Sequence, residues 1–106
     1  MNAPPKDAAI RARLERSIGP VCASDLRAHL ARDGVFYVAQ GLSLLDCAVA
    51  IALDDADAVR GWLAAGALRR PTPDEKRAWP ALESRHWMAV VVQPFVLGQD
   101  IAAENA

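Results

Sequence analysis

Two histidines, two cysteines, a run of aspartates and a group of arginines are the residues of this chain whose chemistry calls for explanation. Cys22, His29, Cys47 and His86 are the four side chains that could hold zinc. Zinc sites of small domains present ligand pairs two to four residues apart, and no two of these four lie that close, so no metal is expected. An enzyme would draw its nucleophile or base from Cys22, His29 and His86, and no spacing brings two of them together. Cys47 stands in the most apolar stretch of the chain and reads as an inert packing residue. Asp54, Asp55 and Asp57 lack the alternating oxygen ligands of a calcium loop; carboxylates so placed cap a helix and oppose its dipole. No Ser–His–Asp set, glycine-rich phosphate loop or pair of acid–base carboxylates is recognisable. The sequence therefore offers no catalytic residue and no cofactor site, and leans away from an enzyme.

A denser constellation lies further on. Arg69, Arg70, Lys76, Arg77 and Arg85 accompany Trp79 and Trp87, a mixture suited to an anion, a nucleic acid or an acidic partner. Asp74, Glu75 and Glu83 dilute it, and charge on an edge strand explains Arg69 and Arg70 equally well. Gln93-Pro94-Phe95 adds a proline inside an apolar run, where a bulge would aim side chains at a partner. Arg69, Arg70, Arg77, Trp79, Arg85, Trp87, Gln93 and Phe95 are thus the candidate partner or anion surface.

Length and charge bound what these residues can be part of. With 106 residues the chain fits one domain, which at this size buries roughly two thirds of its unfolded surface. A hydrophobic content of 53% at net charge −1 excludes disorder, and argues against bulk attraction to nucleic acid or an anionic membrane. Met1 to Asp7 shows no apolar leader region, and Cys47 to Leu53 is far shorter than the roughly 20 residues of a membrane helix. Unpaired cysteines without a leader fit the cytoplasm.

Elements follow from periodicity and punctuation. A helix is expected over about 7–17, with Ile10, Leu14 and Ile18 as its apolar stripe, ended by Gly19-Pro20. A second runs from about Ser24 to Arg32, carrying His29 on its inner face. Val35 to Ala39 is a strand bounded by glycines. Ser43 caps a third, central helix over 44–53, and Asp54-Asp55 start a fourth with Val59, Trp62 and Leu63 inward and Gly66 as its stop. Residues 67–70 form a short edge strand. Thr72-Pro73-Asp74-Glu75 is a capping box with proline at the first helical position, opening a fifth helix that Pro80 must distort. His86 to Leu97 reads as one long strand, apolar on both faces, with Val91 in the core. The expected architecture is a single α+β domain over 6–100. It has a three-stranded mixed sheet (35–39, 67–70, 86–97), about five helices in the order α-α-β-α-α-β-α-β, and loose ends at 1–5 and 101–106.

Three blocks carry a resemblance: Val35-Phe36-Tyr37-Val38-Ala39, then Ala52-Leu53-Asp54-Asp55 with Trp62-Leu63-Ala64-Ala65-Gly66, and Val90 through Gln99. Together they span roughly Ile10 to Asp100 and resemble a family of small bacterial proteins known only as a domain of unknown function, ending in a VVVQPFVLxQ-type strand. The resemblance implies a bacterial, cytosolic, single-domain protein and brings no activity or catalytic residue. The function expected is a non-catalytic interaction or regulatory module, a homodimer or a partner of another protein. The alternatives are a nucleic-acid or anion-binding accessory protein using Arg69, Arg70, Arg77 and Arg85, and a small enzyme of unassigned class.

Overall fold

A computed structural model describes residues 6–81 and 86–101. The expected loose ends (apart from Ile101) and Arg85 lie outside the described residues. Along the chain run α1 (Lys6–Ser17), β1 (Gly19–Cys22), a 3₁₀ turn (Ala23–Leu26), α2 (Arg27–Ala31), β2 (Val35–Val38), α3 (Leu44–Ala52) and α4 (Ala56–Ala65). Then come β3 (Leu68–Arg69), α5 (Pro73–Ala78), a second 3₁₀ turn (Trp79–Ala81), β4 (His86–Val92) and β5 (Phe95–Asp100). The fold is α+β with a mixed sheet, as expected, but the sheet has five strands in the order β1-β4-β5-β2-β3.

Two physical causes separate the five strands from the expected three. The run His86 to Leu97 is two strands joined at Gln93-Pro94 by a turn whose peptide bond is cis, so Val92 pairs with Phe95 and Trp87 with Asp100. Proline here sits at the third position of a four-residue turn, where a cis bond reverses the chain. Secondly, Gly19-Pro20 both stops α1 and opens an edge strand, antiparallel to β4 with Gly19 opposite Ala89. Proline is tolerated there because an edge strand can spare an N–H.

β2 runs parallel to β5 and antiparallel to β3, so β5 lies between two hydrogen-bonded neighbours. Alternation along these strands builds a core on each face of the sheet. Phe36, Val38, Met88, Val90, Val92 and Leu97 meet α1, α3 and α4 on one face. Val35, Tyr37, Trp87, Ala89 and Val96 meet Leu26, Leu30 and Trp79 on the other. A three-layer arrangement results, with Leu44, Cys47, Ala48, Val49 and Ala50 buried along the central α3.

Two core assignments are corrected. Val91 is 51% exposed, because the face it shares with Trp87 and Ala89 is left open beyond the short α2. Leu63 is 44% exposed, since Val59 and Trp62 alone turn the fourth helix inward. The caps agree with the sequence: Ser43 accepts from Asp46 N at 3.1 Å, and Asp55 accepts from Ala58 N at 3.2 Å. Thr72 and Glu75 form the full capping box, and Gly66 ends α4 at φ 77°.

Candidate binding cleft

The basic set is where the sequence placed its best surface, and Arg69, Lys76 and Arg77 of that set pair with carboxylates of the domain. Arg69 donates to both oxygens of Glu75, at 2.8 and 3.0 Å, and its guanidinium lies 4.8 Å above the Tyr37 ring. Glu75 also accepts from Thr72 N at 2.9 Å. The Arg69 guanidinium, with help from Thr72, holds the Glu75 carboxyl down from its ordinary 4.5 to about 2. Lys76 meets Asp33 at 2.6 Å, which lowers the Asp33 pKa, and Arg77 pairs with Asp74. Arg70 donates to the Asp33 carbonyl at 2.7 Å and caps the Phe36 ring at 4.7 Å.

Trp79 and Trp87, expected at the surface, are core. They are 4% and 0% exposed, packed edge to face at 4.6 Å beneath Tyr37. The cause is the second helical layer, which the three-stranded expectation did not supply. The Trp87 ring also lies flat over Gly98 on β5, where a Cβ would come within 2.7 Å of Cε3. Gln93 is exposed at the hairpin turn, and Phe95 is half-buried beside it.

His29 is half-buried on α2, where Arg32 donates to its Nδ1 at 3.1 Å. Cys47 lies fully buried on the opposite face of the sheet, and burial pushes its thiol up to about 12. Cys22 accepts a hydrogen bond from Ser24 Oγ at 3.3 Å at the end of β1. A smaller hollow between β1 and α2 has Ser17, Asp25 and His29 among its lining residues. The Ser17 hydroxyl donates to the Arg13 carbonyl and Asp25 accepts from Cys22 N, so both serve the backbone. Among the described residues no three His, Cys, Asp or Glu side chains come together as a metal site would require.

A concavity at one corner of the domain has the size of a binding site. It encloses about 410 Å³ where the α3–α4 corner overhangs the starts of β2 and β5. Phe36 and Phe95 form the floor, ring centroids 5.2 Å apart and edge to face, with Leu68 beside them. Their proximity follows from the parallel pairing of β2 and β5, which sets Phe36 opposite Leu97. Ala50 and Ile51 supply one wall, Ala56 and Val59 the other. Asp54 and Asp55 are the polar groups of the rim. Asp54 turns the corner at φ 57°, a conformation aspartate tolerates better than most residues, and Asp55 N donates to the Ala50 carbonyl at 2.8 Å. Asp55 is held by its capping bond, whereas the Asp54 carboxylate has no partner among the described residues. Of the candidate partner surface, Phe95 alone among the described residues lines this cleft. The rest was legible only once Gln93-Pro94 was recognised as a turn.

Fold and cleft together describe a small three-layer domain with a concave apolar site. The chain belongs to the family of proteins of unknown function DUF2288, which matches residues 9–100. It is similar in structure to PA1075 from Pseudomonas aeruginosa, solved in solution by NMR. The TM-score is 0.76 at 25% identity, over 100% of this chain and 97% of that one. No curated protein matches the chain. No described helix is long and apolar enough to cross a membrane.

Proposed function

We propose that this chain is a non-catalytic interaction module of the bacterial cytosol, which engages a partner protein or a second copy of itself through the α3–α4 corner. The observation that carries the reading is the apolar cleft and its surroundings. Leu53, 36% exposed, stands between the lining residues Ile51 and Asp54. Leu63 continues the line of Val59 one turn along α4. Two of the four exposed large hydrophobic residues among the described residues therefore neighbour lining residues of a concave, aromatic-floored surface of the sort that receives an anchoring side chain.

The chemistry of the remaining residues favours the same reading. Cys47 is buried and held protonated at neutral pH, and Ser17 and Asp25 are committed to backbone groups. A nucleic-acid reading draws on Arg69, Arg70 and Arg77, each of which already meets a carboxylate or a carbonyl within the domain. Phosphate binding would have to displace those partners. The test is affinity capture from the native cell beside the protein's mass in solution, with wild type and Leu63→Glu in parallel. A dimer, or a reproducibly captured partner, that Leu63→Glu abolishes is the expected result. A strict monomer at high micromolar concentration that captures nothing reproducibly contradicts the reading.

A further inference from the structure

The occupant of the cleft can be read from its lining. We infer that it receives a segment of a partner protein carrying a bulky apolar or aromatic side chain with lysine or arginine beside it. This rests on the interaction reading above and adds the chemistry of the partner. The floor and walls are hydrocarbon: Phe36 and Phe95 below, Ile51 and Val59 at the sides. A side chain entering there loses water without meeting a polar group, so it must itself be apolar. Aromatic rings favour aromatic neighbours edge to face, so the Phe36–Phe95 floor suits a third ring.

Charge then selects what flanks that side chain. The two polar lining residues are both acidic; the Arg70 guanidinium stacks on the Phe36 floor ring but is not itself among the lining residues. Asp55 spends one oxygen on Ala58 N, while Asp54 spends neither. The positive pole of α4 does not reverse this sign, since the Asp55 cap already opposes it; Asp57 in the first turn pairs with Arg60. An anionic segment would meet two carboxylates at the rim, and a cationic one complements them.

Extent distinguishes a chain segment from a small molecule. Exposed apolar side chains follow the lining residues along the chain, Leu53 beside Asp54 and Leu63 one turn beyond Val59 on α4. A segment a few residues long covers both.

The experiment is a ¹⁵N–¹H NMR titration of the whole chain with three capped pentapeptides: Ala-Lys-Trp-Lys-Ala, Ala-Glu-Trp-Glu-Ala and Ala-Lys-Ala-Lys-Ala. The first should shift the amides of Phe36, Ile51, Val59 and Phe95, and the other two should bind at least ~5-fold more weakly. Asp54→Asn with Asp55→Asn should weaken the first peptide by roughly fivefold and leave the fold intact. Asparagine tolerates the left-handed conformation of residue 54 and caps a helix as well as aspartate does. Equal binding of the acidic peptide, shifts confined to another surface, or indifference to the double variant overturns the inference. Tryptamine binding as tightly as the first peptide would assign the cleft to a small amine instead. Cleft shifts that grow with protein concentration alone would assign it to a second copy. If the peptides fail while Leu63→Glu still abolishes a captured partner, this inference falls and the interaction reading stands.

Discussion

Adding one methyl group at each of two glycines should move stability in opposite directions. At Gly98 the new Cβ would lie 2.7 Å from Trp87 Cε3 and 3.2 Å from Cζ3, well inside contact distance. Neither side can give way. Gly98 is paired to Ala89 on one neighbouring strand and Tyr37 on the other, so its backbone is pinned. The Trp87 ring is fully buried and abuts Trp79 at 4.6 Å. Overpacking of this kind costs about 1–3 kcal/mol, and each kcal/mol lowers Tm by about 4–8 °C in a domain near this size. At Gly61, inside α4, an added Cβ meets nothing within 4 Å. Gly61→Ala should therefore stabilise by about 0.5–1 kcal/mol through helix propensity alone. Urea unfolding followed by tryptophan fluorescence would measure both, the midpoints moving apart at unchanged slope. A Gly98→Ala protein as stable as wild type would show that the Trp87 ring does not rest on β5, and would remove the basis of the second core.

Neighbouring valines give a sharper test of which face of β4 is covered. Val90→Asp should abolish cooperative folding and Val91→Asp should be tolerated, since they are 1% and 51% exposed; circular dichroism melts would distinguish them. The Glu75 pKa is depressed on folding, so its contribution is fully present above about pH 4.5 and fades as pH falls toward about 2. The bond with Arg69 is partly exposed, which limits the contribution to about 1–2 kcal/mol. Glu75→Gln should lose that amount at pH 7 and converge with wild type near pH 2 in denaturant titrations at each pH. Cys47 should resist a thiol reagent at neutral pH in the folded protein and react once urea unfolds it, a colorimetric thiol count giving the difference.

Local signals in the chain were strong wherever a single residue type dictates backbone geometry. Thr72-Pro73-Asp74-Glu75, Ser43, Asp55 and Gly66 fixed helix ends that the structure reproduces within a residue or so. The sheet was harder, because its failures depend on pairing. Val90-Val91-Val92 is equally apolar whether it faces a helix or water, and only the short reach of α2 leaves Val91 outside. Gln93-Pro94 reads locally as a bulge within one long strand, and only the pairing of Val92 with Phe95 makes it a turn. Trp79 and Trp87 have the composition of an interface, and they are buried because residues 23–31 and 73–81 build a second layer over them. The cleft joins Phe36 to Phe95 across 59 positions of sequence, a proximity set by the parallel β2–β5 pairing, which no local pattern announces.

Whether this domain works by binding through the α3–α4 corner is tested most directly by photocrosslinking in the native cell. A benzophenone amino acid would replace Leu63 in one sample and the outward-facing Arg16 of α1 in another. The account predicts a discrete crosslinked protein, either another species or a second copy of this chain, from position 63 and none from position 16. Equal, diffuse crosslinking from both positions, or a discrete product from position 16 alone, would contradict it.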